Sequence, residues 1–322
     1  MGIANKLVTM LVVLLAAGTA WAAPALPRLE AIKVSPHVYY FRGEAGMASQ
    51  QNRGFMSNAG FVVTPAGVLV FDALATPALG AAMRDAIRKV TPQPIKTIIV
   101  SHYHADHFYG LQALRAPGVS VWAHRNARAT LQSDFTQSRL AERRSSLASW
   151  VDQDTRLVPA DRWLDFGAEK ALRFKLGGMR FAVIDAGGAH SPEDLMLLVE
   201  DERVLFAGDL FFTGRLPFVG EADSKAWLLA LDKINAGRPR VVIPGHGAAS
   251  TDPVADLELT RGYLVFLREQ MGRAVAEMTA FDEAYKAVDW STFEKVPAFN
   301  EANRLNAYGT YLLMERESFA KP

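Results

Sequence analysis

The 322-residue sequence contains no cysteine. This absence excludes disulfide bonds, thiolate metal ligands and a cysteine nucleophile. The sequence also lacks an excess of charge of either sign, because 35 Lys and Arg residues are balanced by 34 Asp and Glu residues. A protein whose main partner is nucleic acid normally carries a strong basic excess, so we expect no nucleic-acid partner. Hydrophobic residues make up 50% of the chain, which is enough for a substantial folded core.

Residues 1–22 have the features of a secretory signal peptide. Lys6 precedes an apolar run over 7–17 that is short for a membrane span, and Ala20-Trp21-Ala22 has small residues where a signal peptidase cuts. We expect cleavage after Ala22 and a secreted, periplasmic protein without stable membrane insertion. The alternative is an uncleaved N-terminal anchor.

Strand-like and helix-like segments alternate along the rest of the chain. Apolar and β-branched runs predict strands at 38–41, 59–63, 67–72, 97–101, 119–123, 179–184, 195–199, 203–207 and 240–244. Helical spacing of apolar residues and capping signals predict helices at 76–90, 127–151, 225–235 and over most of 253–287. This alternation predicts a layered α/β protein with helices outside packed sheets.

Two segments between these elements are candidates for covering a site. The loop over 43–58 contains Met47, Phe55 and Met56, which can form an apolar flap or simply pack beneath the loop. The Arg-rich segment 127–151 is interpreted mainly as a solvated helical face, with a cap over the substrate as the alternative.

Three of the seven histidines lie in one short segment directly after the predicted strand 97–101. They are His102, His104 and His107, and Asp106 stands beside them. Neutral imidazole and carboxylate groups are ligands of a borderline divalent ion such as zinc. His102 and His104 can face one ion because they are two residues apart on an extended segment. Asp106 and His107 begin the next helical turn and can face a second ion.

Three further polar residues, His190, Asp209 and His246, follow the ends of other predicted strands. Open α/β layers place their sites at the carboxyl ends of strands. A carboxylate such as Asp209 can put one oxygen on each of two ions, which in two-metal sites lie about 3.5–4 Å apart. The remaining histidines, His37 and His124, each stand alone beside apolar residues, and we expect ordinary structural roles for them.

Together these residues resemble the metallo-β-lactamase superfamily. The motif H-x-H-x-D-H at 102–107 carries the resemblance, together with His190, the Gly-Asp pair at 208–209 and the Gly-His pair at 245–246. The resemblance covers about residues 35–250 and implies an α/β fold, a four-layer αββα sandwich with the metals at one edge of the two sheets.

The same resemblance implies a catalytic domain over 23–250 and a helical C-terminal extension over 251–322 packed on the same domain. Asn58-Ala59-Gly60 and the strand that ends at Asp72 also match the superfamily's N-terminal pattern. Asp72 is therefore expected to lie behind the ligands and to orient one of them or the loop.

The resemblance further implies two metal ions per chain, with zinc expected and iron or manganese as alternatives. One ion would be held by His102, His104 and His190, the other by Asp106, His107 and His246, with Asp209 bridging the two.

An aspartate at position 209, where many β-lactamases of this superfamily carry cysteine, is similar to glyoxalase II and its relatives. The signal peptide, the sequence His-Ser-Pro-Glu-Asp-Leu at 190–195 and the C-terminal helices look most like periplasmic zinc metallohydrolases associated with quinoprotein-relay or sulfur-oxidation systems. This finer resemblance implies a periplasmic redox-system partner.

The implied function is a dinuclear zinc hydrolase that cleaves a small-molecule ester, thioester, lactone or amide by attack of a metal-bridging hydroxide. Asp106 is the candidate catalytic residue, because it would orient that hydroxide and move its proton. One alternative is a mononuclear iron oxidoreductase that resembles persulfide dioxygenases and uses His102, His190 and Asp209 as ligands. A β-lactamase and a non-catalytic binding module are the others.

Overall fold

The computed structural model describes residues 28–320 of the chain. The predicted signal peptide at 1–22 lies outside the described residues. Among the helices that are described, none is long and apolar enough to cross a membrane.

Twelve strands of the described chain form two sheets. The first sheet has the order β1-β2-β3-β4-β5-β6-β7, and the second has the order β12-β11-β10-β9-β8. The strands are β1 (Ile32–Lys33), β2 (Val38–Phe41), β3 (Ala59–Thr64), β4 (Gly67–Phe71), β5 (Ile95–Ile99), β6 (Ser120–His124), β7 (Arg162–Leu164), β8 (Ala171–Leu176), β9 (Met179–Asp185), β10 (Leu195–Val199), β11 (Val204–Phe212) and β12 (Val241–His246).

Helices cover the outer faces of these sheets. They are α1 (Pro77–Val90), α2 (Ala105–Phe108), α3 (Leu111–Leu114), α4 (Ala127–Gln132), α5 (Asp134–Ser146), α6 (Ser224–Gly237), α7 (Pro253–Ala276), α8 (Phe281–Ala287) and α9 (Phe299–Phe319). The first sheet is antiparallel from β1 to β4 and parallel from β4 to β7. The second sheet is antiparallel except for the parallel pair β11 and β12.

Three apolar clusters give the molecule its layers. Between the two sheets, Phe71 of β4 meets Phe206 of β11 with ring centroids 5.4 Å apart. Outside the first sheet, Met83 of α1 belongs to a second buried cluster, and outside the second sheet Trp227 of α6 belongs to a third. Burial of such a side chain contributes about 1.5–3 kcal/mol to folding. The predicted αββα sandwich is therefore confirmed.

Helix α1 illustrates why the sequence folds as predicted. The Thr76 hydroxyl accepts a hydrogen bond from the amide of Leu79 at 3.1 Å, and Pro77 occupies the first helical position. Leu79, Met83 and Ile87 recur every four residues and are all buried against the first sheet.

The C-terminal helices pack against the second sheet and its loops. The side-chain oxygen of Asn306 on α9 accepts hydrogen bonds from the amides of Val219 and Gly220, at 2.8 and 3.2 Å. Its side-chain nitrogen donates to the carbonyl oxygen of Pro217 at 2.8 Å. Asn306 is fully buried, so these bonds replace those that it would make with water.

Two sequence-based boundaries need correction. Asp209 does not follow a strand, because β11 continues past residue 207 to Phe212 and includes it. The pairing with β12 shifts register on either side of Gly208, whose φ of +55° bends the strand, and apolar residues beyond this irregularity extend the strand. The segment 127–151 holds two helices, α4 and α5, because Ser133 ends the first and caps the second.

Candidate metal centre

The first group of site residues comes from the segment after β5. His104 is still extended, with φ −78° and ψ 144°, and it precedes the short helix α2. His104 therefore lies on extended backbone, whereas Asp106 and His107 lie in the helical turn. This is the arrangement that the spacing of the motif predicts.

The second group comes from the second sheet. His190 lies in the loop after β9, Asp209 lies within β11, and His246 is the last residue of β12. The loop around His190 is held by Asp194, whose carboxylate accepts hydrogen bonds from the amides of Ala189 and Ser191 at 3.1 and 2.8 Å. The two sheets thus each supply part of one site.

The structure brings all seven predicted ligands together at one edge of the sandwich. Their ligand atoms form two groups, within each of which the atoms lie no more than 4.8 Å apart. The first group is His102, His104, His190 and Asp209, and the second is Asp106, His107 and His246.

Asp209 stands between the two groups. Its Oδ2 atom lies 4.0 Å from Nε2 of His102, 3.5 Å from Nε2 of His190 and 3.4 Å from Nε2 of His246. Its Oδ1 atom lies 3.1 Å from Nε2 of His107. One carboxylate therefore faces the imidazoles of both groups, as a bridging ligand must.

Several buried atoms at this centre have no hydrogen-bond partner within residues 28–320. They are Nε2 of His102, Nε2 of His107, Nδ1 of His190 and Oδ1 of Asp209. His107 and Asp209 are close enough to bond, but their atoms do not have hydrogen-bond geometry. A buried polar atom without a partner costs about 1–3 kcal/mol, so such a concentration indicates that a cation belongs here. The donor set of five imidazoles and two carboxylates fits zinc.

Groups behind the ligands fix the orientation of the rings. Nδ1 of His107 donates to Oδ2 of Asp72 at 2.9 Å, and Nδ1 of His246 donates to the backbone oxygen of Met56 at 2.7 Å. Ser101 Oγ lies 2.9 Å from Nδ1 of His102. Because the Nδ1 atoms of His107 and His246 donate to groups behind them, Nε2 is the atom of each ring that is left for the centre, where a metal ion would take the place of a proton.

Aromatic side chains hold two of the rings from the side. The ring of Phe212 stacks on His246 with centroids 5.0 Å apart, and the indole of Trp227 meets His190 edge-on at 5.1 Å. The Trp227 indole is itself anchored, because its N–H donates to the carbonyl oxygen of Leu210 at 2.9 Å.

Burial and neighbouring charges set the protonation of these groups. Burial lowers the pKa of His102, His104 and His190, in the last case to about 3, and the positive charge of Arg139 acts in the same direction on His104. These three rings are therefore neutral at pH 7, which is the form that binds a metal. Burial opposes ionisation of Asp209, but the positive charges of His107 and His246 outweigh it and hold its pKa well below the usual range. Burial would also lower the pKa of these two rings, but the negative charge of Asp209 outweighs it and raises the pKa of both.

Gly245 allows β12 to approach the carboxylate of Asp209 closely. A Cβ atom at position 245 would lie 1.9 Å from Oδ1 of Asp209 and 2.7 Å from the backbone carbon of Gly208. A glycine beside His246 is thus required by the close approach of the backbone to this carboxylate.

A cavity of about 180 Å³ opens beside the centre. Four of the candidate metal ligands line it, namely His104, Asp106, Asp209 and His246, and so do Met47 and Met56 from the loop over 43–58. The flap interpretation therefore fits these two methionines, whereas Phe55 packs against the core outside the first sheet. His37 pairs with Glu202 and His124 stacks on Phe166, so both lie outside the two ligand groups.

Sequence reasoning missed Arg215. This residue is 2% exposed and lines the cavity, and its guanidinium donates to the carbonyl oxygen of Gly46 at 2.7 Å. It also missed the full role of Asn58, which donates to the carbonyl oxygens of Pro244 and Gly247 and accepts from the amide of Gly43. The sequence Asn58-Ala59-Gly60 indicates that Asn58 matters. Nothing in the sequence around Arg215 indicates a role for that residue.

Comparison with known proteins places this site in a family. The family described as the metallo-beta-lactamase superfamily matches residues 52–246, more than half of the chain. The chain belongs to this superfamily, and the predicted resemblance is confirmed at that level.

Two curated relatives are similar to the chain. A linear primary-alkylsulfatase of Pseudomonas sp. is 23% identical over 266 residues, which cover 70% of this chain and 49% of the relative. A metallo-beta-lactamase type 2 of Bacteroides fragilis is 27% identical over 158 residues, which cover 48% of this chain and 53% of the relative. The chain thus spans about half the length of these relatives, both of which are named as hydrolases.

Solved structures share the fold. The stereoselective inverting sec-alkylsulfatase Pisa1 of Pseudomonas sp. matches with a TM-score of 0.65 and 18% identity over 91% of this chain and 52% of its own. A metallo-beta-lactamase of Pontibacter korlensis matches with a TM-score of 0.56 and 22% identity over 74% of this chain and 99% of its own. The first of these includes most of the C-terminal helical region.

Proposed function

We propose that this protein is a dinuclear zinc hydrolase of small-molecule esters, thioesters, lactones or amides. The observation that carries the proposal is the pair of ligand groups on either side of Asp209. Three separate parts of the second sheet and the segment after β5 of the first sheet converge there, and several of their buried side-chain atoms have no hydrogen-bond partner within residues 28–320.

When bound, two zinc ions would supply a water of lowered pKa and a Lewis acid that polarises the oxygen of the scissile group. The chain's own residues then position the reactants. Asp106 is the more exposed of the two carboxylates at the centre, with 15% of its side chain accessible against 5% for Asp209. Its Oδ2 atom, 3.4 Å from Nε2 of His246, is placed to orient the attacking water and to accept its proton.

Two ions are favoured over the single iron of the alternative proposal. A mononuclear site built from His102, His190 and Asp209 would give Asp106, His107 and His246 no metal to bind. Yet the ligand atoms of these three residues lie within the same 4.8 Å of one another as those of the first group. The relatives' names add sulfate esters and β-lactams to the substrates that should be tried.

Secretion and the redox-system partner are part of the same proposal. The signal-peptide pattern at 1–22 supports export to a periplasm, and the finer resemblance stated above supports a partner in a periplasmic oxidation system. Both are tested by fractionating cells that express the full chain and by identifying proteins that co-purify with it from the periplasmic fraction.

Metal content and activity test the central proposal. Elemental analysis of the protein purified without added metal should find about two zinc ions per chain. Asp106→Ala should retain about one ion and lose turnover of an ester, thioester, lactone or β-lactam panel by orders of magnitude. About one iron per chain, with oxidation of a persulfide, would replace the hydrolase by the iron alternative, and full activity in Asp106→Ala would remove Asp106 from the mechanism.

A further inference from the structure

The cavity beside the metal centre has a second wall that contributes no metal ligand. Helix α5 packs on α2 and presents Phe135, Arg139 and Arg143 to the cavity, at a spacing of four residues that places them on one helical face. Tyr109, directly after α2, lines the same space.

This wall carries more positive than negative charge. One carboxylate, that of Glu142, serves both guanidinium groups: it lies 2.5 Å from Arg139 and 4.0 Å from Arg143. Only 15% of the Arg143 side chain is exposed, so its charge is poorly screened by water. Apart from the candidate ligands Asp106 and Asp209, the acidic residue that lines the cavity is Glu301. Glu301 is exposed on α9.

The phenol of Tyr109 adds an unused donor. Its hydroxyl is buried and has no hydrogen-bond partner in the part of the chain that the structure describes. A buried donor without a partner is unfavourable. A ligand oxygen that accepted this hydrogen bond would therefore bind more tightly, because the phenol is already held in place.

The mouth of the cavity is apolar. Phe135 and Leu305 line it, although each is 58% exposed, and the ring of Phe135 lies under the guanidinium of Arg139 at 5.4 Å. Met47 and Phe108 continue the apolar surface inward toward the metal ligands. Large apolar side chains exposed at the rim of a charged cleft are typical of a site for an amphiphilic ligand.

We propose that Arg139, Arg143 and Tyr109 form an oxyanion-binding subsite beside the metal centre, so that the substrates carry a sulfate or carboxylate group and an apolar chain. The guanidinium forks and the phenol bind the oxygens of the anion, and Phe135 and Leu305 contact the chain. This proposal rests on the proposed hydrolase for its substrate class, but binding can be measured without turnover.

Binding of hexanesulfonate, hexanoate and hexanol to the metal-loaded full-length protein tests the subsite by calorimetry. The anions should bind at least about tenfold more tightly than the alcohol, and the preferred anion identifies sulfate or carboxylate as the natural group. In the Arg139→Gln, Arg143→Gln double variant, affinity for the preferred anion should fall about tenfold or more, as expected for lost hydrogen bonds to a charged group. Tyr109→Phe should lose a smaller factor.

Arg128→Gln is the matched control, because Arg128 is exposed on α4 and does not line the cavity. It should bind the anion as the natural chain does, and all variants should keep the natural metal content. Equal affinity for hexanol and the two anions, or undiminished anion affinity in the double variant, would overturn the subsite. The hydrolase proposal fails separately, if no charged or neutral ester is cleaved.

Discussion

The carboxylate of Asp72 accepts a hydrogen bond from Nδ1 of His107 at 2.9 Å, and its other oxygen accepts the backbone amide of Ser101 at 2.7 Å. Asp72 therefore connects the end of β4 to the first ligand segment. It adopts a left-handed backbone conformation, with φ +62°, which aspartate and asparagine tolerate better than most residues.

Asp72→Asn should weaken metal binding about 10–100-fold without unfolding the protein. The amide can still accept from Ser101, but its NH₂ group would face Nδ1 of His107 and favour the tautomer with hydrogen on Nε2. That tautomer cannot bind a metal through Nε2. Competition with a chromophoric zinc chelator measures the affinity. Asp256→Asn, at an exposed position of α7, is the control, and equal affinities for both variants would contradict the orienting role.

Gly245→Ala should displace the bridging carboxylate. The added methyl group would meet Oδ1 of Asp209 and the backbone of Gly208, so we expect loss of metal from both groups and destabilisation of about 1–3 kcal/mol. Metal content and the midpoint of thermal unfolding are the measurements. Gly237→Ala, whose Cβ would meet nothing within 4 Å, should keep the natural metal content and lose no stability. Normal metal content in Gly245→Ala would show that β12 can move away from Asp209.

Arg215→Met should release the loop over 43–58 from the metal edge. Arg215 donates to the carbonyl oxygen of Gly46 and contacts Sδ of Met47 at 3.6 Å, so its loss removes a buried charged hydrogen bond that holds the loop. Hydrogen exchange of the Glu44 amide, which donates to the carbonyl oxygen of Phe55, should accelerate about tenfold or more. The same exchange should be unchanged in Arg128→Met. Equal protection in both variants would mean that the loop is held by other contacts.

Asp194 should make the stability of the protein depend on pH. Burial raises the pKa of its carboxyl to about 7, although hydrogen bonds from Ser191 act in the opposite direction. In the unfolded chain the group titrates near its ordinary value of about 3.9. Between these values the folded state keeps a proton that the unfolded state has lost. The contribution of the protonated Asp194 carboxyl to the free energy of unfolding is therefore complete below about pH 4 and is lost as the pH rises to about 7.

Asp194→Asn removes this titration while its amide can still accept from Ala189 and Ser191. The free energy of unfolding of Asp194→Asn, relative to the natural chain, should rise between about pH 4 and pH 7 by a few kcal/mol and stay constant above that range. Denaturant unfolding of chelator-treated protein at several pH values measures the difference. The control Asp256→Asn should run parallel to the natural chain. A parallel curve for Asp194→Asn would show that Asp194 is already ionised at low pH.

The clustering of the candidate ligands could be predicted from the sequence because their chemistry and spacing are both unusual. His102, His104, Asp106 and His107 stand together after an apolar strand, and no tertiary information is needed to see them. Their supporting contacts are different. Nδ1 of His246 donates to a backbone oxygen, that of Met56, and any residue type can supply such an acceptor.

The two walls of the cavity likewise depend on tertiary contacts that the sequence does not reveal. The arginine-rich composition of segment 127–151 favours a solvated face, yet Arg139 and Arg143 line the cavity, as the alternative of a substrate cap requires. The spacing of Phe135, Arg139 and Arg143 was a signal for one mixed face, but the sequence could not show that this face turns inward. The role of Arg215 likewise depends on a loop that is distant in the chain.

The division of the ligands between the two sheets has a consequence for how the protein holds together. The segment after β5 contributes four candidate ligands, and the second sheet contributes His190, Asp209 and His246, so neither half carries a complete candidate set for both groups. Metals bound there would tie together parts of the chain more than 80 residues apart. In a chain without cysteine they would act as its cross-links, lowering the entropy of the opened chain as disulfides do elsewhere. A chelator would then loosen the sandwich as well as stop the chemistry.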